Sequence, residues 1–134
     1  MLDKKLIKKV LDAALSTAGD FAEVFIEDKF QTDATMLSSK VQAVNNAKIF
    51  GVGIRVAQGF KRVYGYTNSV EEEVLVQLAS DLAQSFPGES KGINFKLSEL
   101  QVGDLHQAKI DPATVAIDEK VALLYRADKS AREY

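Results

Sequence analysis

The chain has 134 residues, the size of one domain of roughly 100–200 residues, with 46% hydrophobic residues and a formal net charge of -2. That composition belongs to a folded globule rather than a disordered tail, and it supplies no clustered basic face for nucleic acid. There is no Cys, which excludes thiol nucleophiles, thiolate metal sites and disulfides.

No apolar run approaches the roughly 20 residues that span a bilayer, and Lys8-Lys9 interrupts any secretory core behind Leu6-Ile7. The chain reads as cytoplasmic, with no membrane and no direct nucleic-acid partner. Leu2, Leu6, Ile7, Val10, Leu11, Ala14 and Leu15 recur at helical spacing and predict a first helix. Asp3 is placed to cap it and Gly19 to end it. Lys4, Lys5, Lys8 and Lys9 fall on the other side and read as a solvated face.

Four strands are predicted next. Ala22, Val24 and Ile26 alternate with Glu23, Phe25 and Glu27, and β-favouring residues continue to Leu37, so the first strand is long. Ser38-Ser39-Lys40 reads as a turn, Val41 to Asn45 as the second strand and Asn45-Asn46 as another turn. Gly51 to Ala57 is the third, and Gln58-Gly59 turns into the fourth, Arg62 to Thr67. Such short connections favour an antiparallel meander.

Ser69-Val70-Glu71-Glu72 fits a capping box, and Val74, Leu75, Leu78, Ala79, Leu82, Ala83 and Phe86 continue as a helical stripe that Pro87-Gly88 ends. Residues 87–117 read as a linker or extended arm. Its apolar residues Phe95, Leu97, Leu100, Val102 and Leu105 want a surface to lie on. A last helix starts near Asp118 and is still running at Tyr134, the pattern of a piece of a longer polypeptide. The fold class is therefore α+β in two layers: a four-stranded meander with two helices on one face over residues 1–86, an arm, and a helix at 118–134 that begins a further domain.

The sequence holds no complete active site. A zinc hydrolase site needs about three protein ligands, and the only His is His106. No serine stands in a GxSxG elbow. Glu71, Glu72 and Glu73 open a helix, where the macrodipole favours them. Glu23, Glu27 and Asp28 lie on the polar side of a strand. Gly51-Val52-Gly53 lacks the third glycine and the strand-to-helix turn of a dinucleotide fingerprint. The same two glycines share a strand face with Arg55, and Phe25 belongs to the less apolar side of the first strand. Gly51, Gly53, Arg55 and Phe25 are accordingly the candidate site, a contact face for another domain or a peptide.

Gly51-Val52-Gly53-Ile54-Arg55-Val56, then Gly59, then Tyr64-Gly65-Tyr66-Thr67-Asn68 and an acidic helix start, resembles the amino-terminal region of the TldD/PmbA family, which is also named modulator of DNA gyrase. Asp111-Pro112 and the stretches Asp118 to Leu124 and Ala127 to Glu133 are similar to the family segment entering the next domain. The resemblance is closer to the TldD branch. It implies a zinc metallopeptidase that degrades or processes peptides, paired with a TldE/PmbA-like subunit or a second copy. The family's HExxxH metal motif has no counterpart here, so the resemblance carries over no catalytic residue, and zinc would belong to another part of the parent protein. This chain would be a non-catalytic scaffold domain. The alternative is a stand-alone interaction module acting on a topoisomerase or toxin–antitoxin partner without proteolysis.

Overall fold

The computed structural model describes residues 2–100, 103 and 108–134. Val102, Leu105 and His106 lie outside the described residues. Asp3 opens helix α1 (Lys4–Ala14) by accepting the Leu6 N–H at 2.7 Å, which satisfies one of the free amides of the first turn. Strands β1 (Phe21–Leu37), β2 (Lys40–Gln58) and β3 (Lys61–Thr67) follow, then helices α2 (Glu72–Ala83) and α3 (Ile117–Arg132). A short 3-10 turn at Pro112–Thr114 precedes α3. The described strands form one sheet in the order β1-β2-β3.

The sheet has three strands, not the predicted four, because the second and third are one continuous element. Asn45-Asn46 does not turn. Among the described residues, the non-glycine positions with positive φ are Ser38 (49°) and Ser39 (60°), a two-residue connection with both central positions in the left-handed region. That is the hairpin geometry whose twist matches its flanking strands. Once it is made, the 17-residue β1 presents a pairing edge to β2, and ladder hydrogen bonds outweigh the weak turn preference of two asparagines.

The chain divides into two compact units. The first comprises Met1–Asp28 and Phe50–Leu100, and the second Lys29–Ile49 and Gln101–Tyr134.

The first unit holds the core. β2 and β3 pair antiparallel with Val52 opposite Thr67, Ile54 opposite Gly65 and Val56 opposite Val63. Val52, Ile54 and Val56 are fully buried against Val10 and Ala14 of α1, Leu75 and Ala79 of α2, and Phe86. Each such side chain contributes about 1.5–3 kcal/mol by leaving water. Gly65 lets α2 come close, since a Cβ there would lie 2.8 Å from Leu78 Cδ1. The ends of the two helices are stitched together: Thr17 Oγ1 donates to the Ala83 carbonyl at 2.6 Å, and the Ala18 N–H donates to the Phe86 carbonyl at 3.2 Å. Residues 87–100 have no regular structure but lie against the same unit. Ser90 Oγ donates to the Leu15 carbonyl at 3.0 Å, and Ile93 and Phe95 line an apolar hollow with Leu11, Leu15, Phe21 and Ala22.

The starts of α2 and α3 differ from the sequence expectation. Ser69 does not cap α2. Its hydroxyl accepts the Glu71 N–H at 3.1 Å, a local turn one step ahead of the helix, whose N-cap is Glu71. α3 starts one residue before Asp118, which lies in its first turn, where a carboxylate suits the helix dipole.

In the second unit the outer parts of β1 and β2 join α3 through Ser39. Its hydroxyl donates to Asp128 Oδ2 at 2.6 Å, and Arg132 Nε donates to the same carboxylate at 3.1 Å. The Ser39 hydrogen bond, then Arg132, hold the Asp128 carboxyl below its ordinary 3.8. Among the described residues, the fully buried apolar side chains all belong to the first unit.

Candidate functional site

Strand alternation that buries Val52, Ile54 and Val56 turns Gly51, Gly53, Arg55 and Ala57 to the opposite face of the first unit's sheet. The register adds Arg62 opposite Ala57, Tyr64 opposite Arg55 and Tyr66 opposite Gly53. On β1, Ala22, Val24 and Ile26 pack toward the core, so Phe21, Glu23 and Phe25 join this outer face. Phe25 is 58% exposed, Tyr64 60% and Tyr66 77%. Three aromatic rings in one open area exceed the scatter of single apolar residues on an ordinary surface.

The four predicted residues thus share a face, and the structure shows what surrounds them. Arg55 Nη2 lies 2.6 Å from Glu23 Oε1. A half-exposed pair of this kind contributes only about 0.2–1 kcal/mol, so its main effect is to hold the guanidinium in place. Gly53 is buried because the Tyr64 ring lies over it. Gly51 has room above it, its nearest neighbour being the Thr67 carbonyl at 3.6 Å from a built Cβ. Sequence reasoning missed Arg62, Tyr64 and Tyr66 as members of the face. Their alternation in Tyr64-Gly65-Tyr66 was a visible signal, but the cross-strand register that sets them beside Gly53 and Arg55 was not.

At the turn end of this face lies a hollow of about 380 Å³ lined by Asp20, Phe21, Arg55, Ala57, Gly59 and Arg62. Asp20 fastens it. Its Oδ2 accepts the Gly59 N–H at 2.9 Å and lies 3.4 Å from Lys91 Nζ, while its own N–H donates to the Ala57 carbonyl at 2.9 Å. The Gly59 hydrogen bond foremost holds the Asp20 carboxyl below its ordinary 3.8, against some desolvation, with Lys91 adding to the effect.

Three of the four α1 lysines are ion-paired at the surface: Lys4 with Glu99 and Lys9 with Glu72 at 2.6 Å, Lys8 with Asp12 at 2.7 Å. Among the described residues no three His, Cys, Asp or Glu side chains come together to hold a metal ion, so the zinc that the resemblance implies finds no fitting ligand set there. No described helix is long and apolar enough to cross a membrane.

Residues 22–85 match the family model described as PmbA/TldA metallopeptidase domain 1. No curated protein matches the chain. The matched stretch runs from β1 through α2 and contains Phe25, Gly51, Gly53, Arg55, Arg62, Tyr64 and Tyr66. This match, over just under half of the chain, supports membership of the PmbA/TldD metallopeptidase family.

Proposed function

We propose that this chain is a non-catalytic scaffold domain of a PmbA/TldD-type zinc metallopeptidase. Its open sheet face holds an extended polypeptide segment, either of the peptidase itself or of its peptide substrate. The observation that carries the reading is the face itself. Phe25, Tyr64 and Tyr66 stand exposed around a buried Gly53 and a fixed Arg55, on a domain whose opposite face is filled by α1 and α2. Aromatic rings and arginine are the side chains that dominate contact surfaces. β3 ends the strand order, and no described strand pairs with its outer edge, so its backbone groups suit an extended chain laid alongside. Zinc and the bond-breaking step belong elsewhere in the parent protein, together with a TldE/PmbA-like subunit or a second copy as partner.

The test is metal analysis and peptide cleavage by the purified chain. After loading with zinc and dialysis, less than stoichiometric metal and an intact unfolded peptide are expected. Stoichiometric zinc that is lost on His106→Ala, accompanied by cleavage, would overturn the scaffold reading.

A further inference from the structure

The hollow at the turn end of the open face has a charge pattern that packing does not account for. Arg55 and Arg62 both line it, and the register makes them diagonal neighbours on adjacent strands, since Arg62 sits opposite Ala57. Like charges so placed repel and are tolerated best when an anion lies between them. Glu23 answers Arg55 at 2.6 Å, and Asp20 answers Lys91 at 3.4 Å. Arg62 has no ion pair among the described residues. Three cations against two carboxylates leave a single positive charge at the rim. The floor is Ala57, which adds no bulk, and Phe21 forms an apolar wall. A wall of low polarity strengthens an ion pair formed beside it.

We infer that this hollow is a carboxylate subsite, which receives one acidic side chain or the terminal carboxylate of a polypeptide lying on the open face. The inference rests on the docking reading above and adds its chemical selectivity. Arg62 supplies the forked donor that a carboxylate accepts. Arg55, already held by Glu23, keeps one side of the site positioned. A singly charged rim matches a monoanion, whereas a phosphate dianion would leave charge uncompensated beside Asp20.

The experiment uses the full chain and three capped pentapeptides, followed by 15N–1H spectra of backbone amides and arginine side chains. They are acetyl-Val-Thr-Glu-Thr-Val-amide, its Gln counterpart, and the Gln counterpart with a free terminal carboxylate. Inorganic phosphate is the fourth probe. A carboxylate should tighten binding about fivefold over the capped Gln peptide, the effect of one partly solvated charged pair. The shifts should centre on Gly59, Arg55 and Arg62. A gain with the Glu peptide assigns the subsite to acidic side chains, and a gain with the free terminus assigns it to chain ends. Either gain should vanish in Arg62→Gln. Equal affinities for all three peptides, a gain that survives Arg62→Gln, or phosphate binding more tightly than either carboxylate peptide would overturn the subsite. If the capped Gln peptide still shifts Phe25, Tyr64 and Tyr66 under those outcomes, only the subsite falls. If no peptide shifts the face, the docking reading falls with it.

Discussion

The Tyr64 ring fills the space above Gly53: a Cβ at position 53 would lie 2.9 Å from its Cε2 and Cζ atoms. A glycine in the middle of a β-strand is unfavourable by itself, since it has no side chain to pack. Here its absent side chain leaves room for the hydroxyl end of the Tyr64 ring, whose own cross-strand partner is Arg55. The outer face thereby gains a ring that touches backbone at one end and stays 60% exposed.

Gly53→Val should therefore leave the domain folded and move the ring. Valine suits a strand, and the displaced Tyr64 is free to swing outward, so stability should change by no more than about 1 kcal/mol. The Tyr64 aromatic resonances should shift strongly and those of the helices should not, as read by two-dimensional NMR of the variant. Global unfolding would mean that position 53 faces the helices.

Ile54→Ala should behave in the opposite way. Ile54 is fully buried and sits between the two helices and the sheet. Truncating it removes apolar burial and leaves a cavity, a loss of about 2–5 kcal/mol. The urea midpoint should fall accordingly, and the protection of the Val52, Ile54 and Val56 amides against hydrogen exchange should fall with it.

These two neighbours also show how much was legible in the sequence. Period-two alternation alone places Val52, Ile54 and Val56 together and sets Gly51, Gly53 and Arg55 against them, because no one-residue slip could keep the valines and isoleucine out of water. The length of β2 was not legible. Asn45-Asn46 has turn-forming side chains, and only the pairing partner available along β1 decides that the chain runs straight through. Local reading likewise assigned Ser69 to a helix cap, whereas its hydroxyl closes a turn with Glu71. The Arg55–Glu23 pair and the hollow beside Arg62 depend on cross-strand register, a property of two segments together that neither carries alone.

Acid should loosen the turn end of the face through Asp20. Its carboxyl lies below 3.8 in the folded chain because the Gly59 N–H and Lys91 favour the charged form. A depressed carboxyl stabilises the fold above its unfolded value, and that contribution is lost as pH falls from about 3.8 through the lower folded value. Asp20→Asn should thus be less stable than the parent chain at neutral pH, with the gap closing below that window. Thermal unfolding of both proteins across pH 7 to about 2 measures it. A gap that stays constant down to the lowest pH would show that the Asp20 charge is not what ties Gly59 in place.

The most direct test of the docking reading is a chemical-shift map of the full chain with an unfolded, uncharged peptide. Shifts are expected at Phe25, Gly51, Gly53, Tyr64 and Tyr66, with no comparable shifts on α1 or α2, and the pattern should be lost in the Phe25→Ser, Tyr66→Ser double variant. Shifts that centre on the helices, or a pattern that the double variant leaves intact, would contradict it.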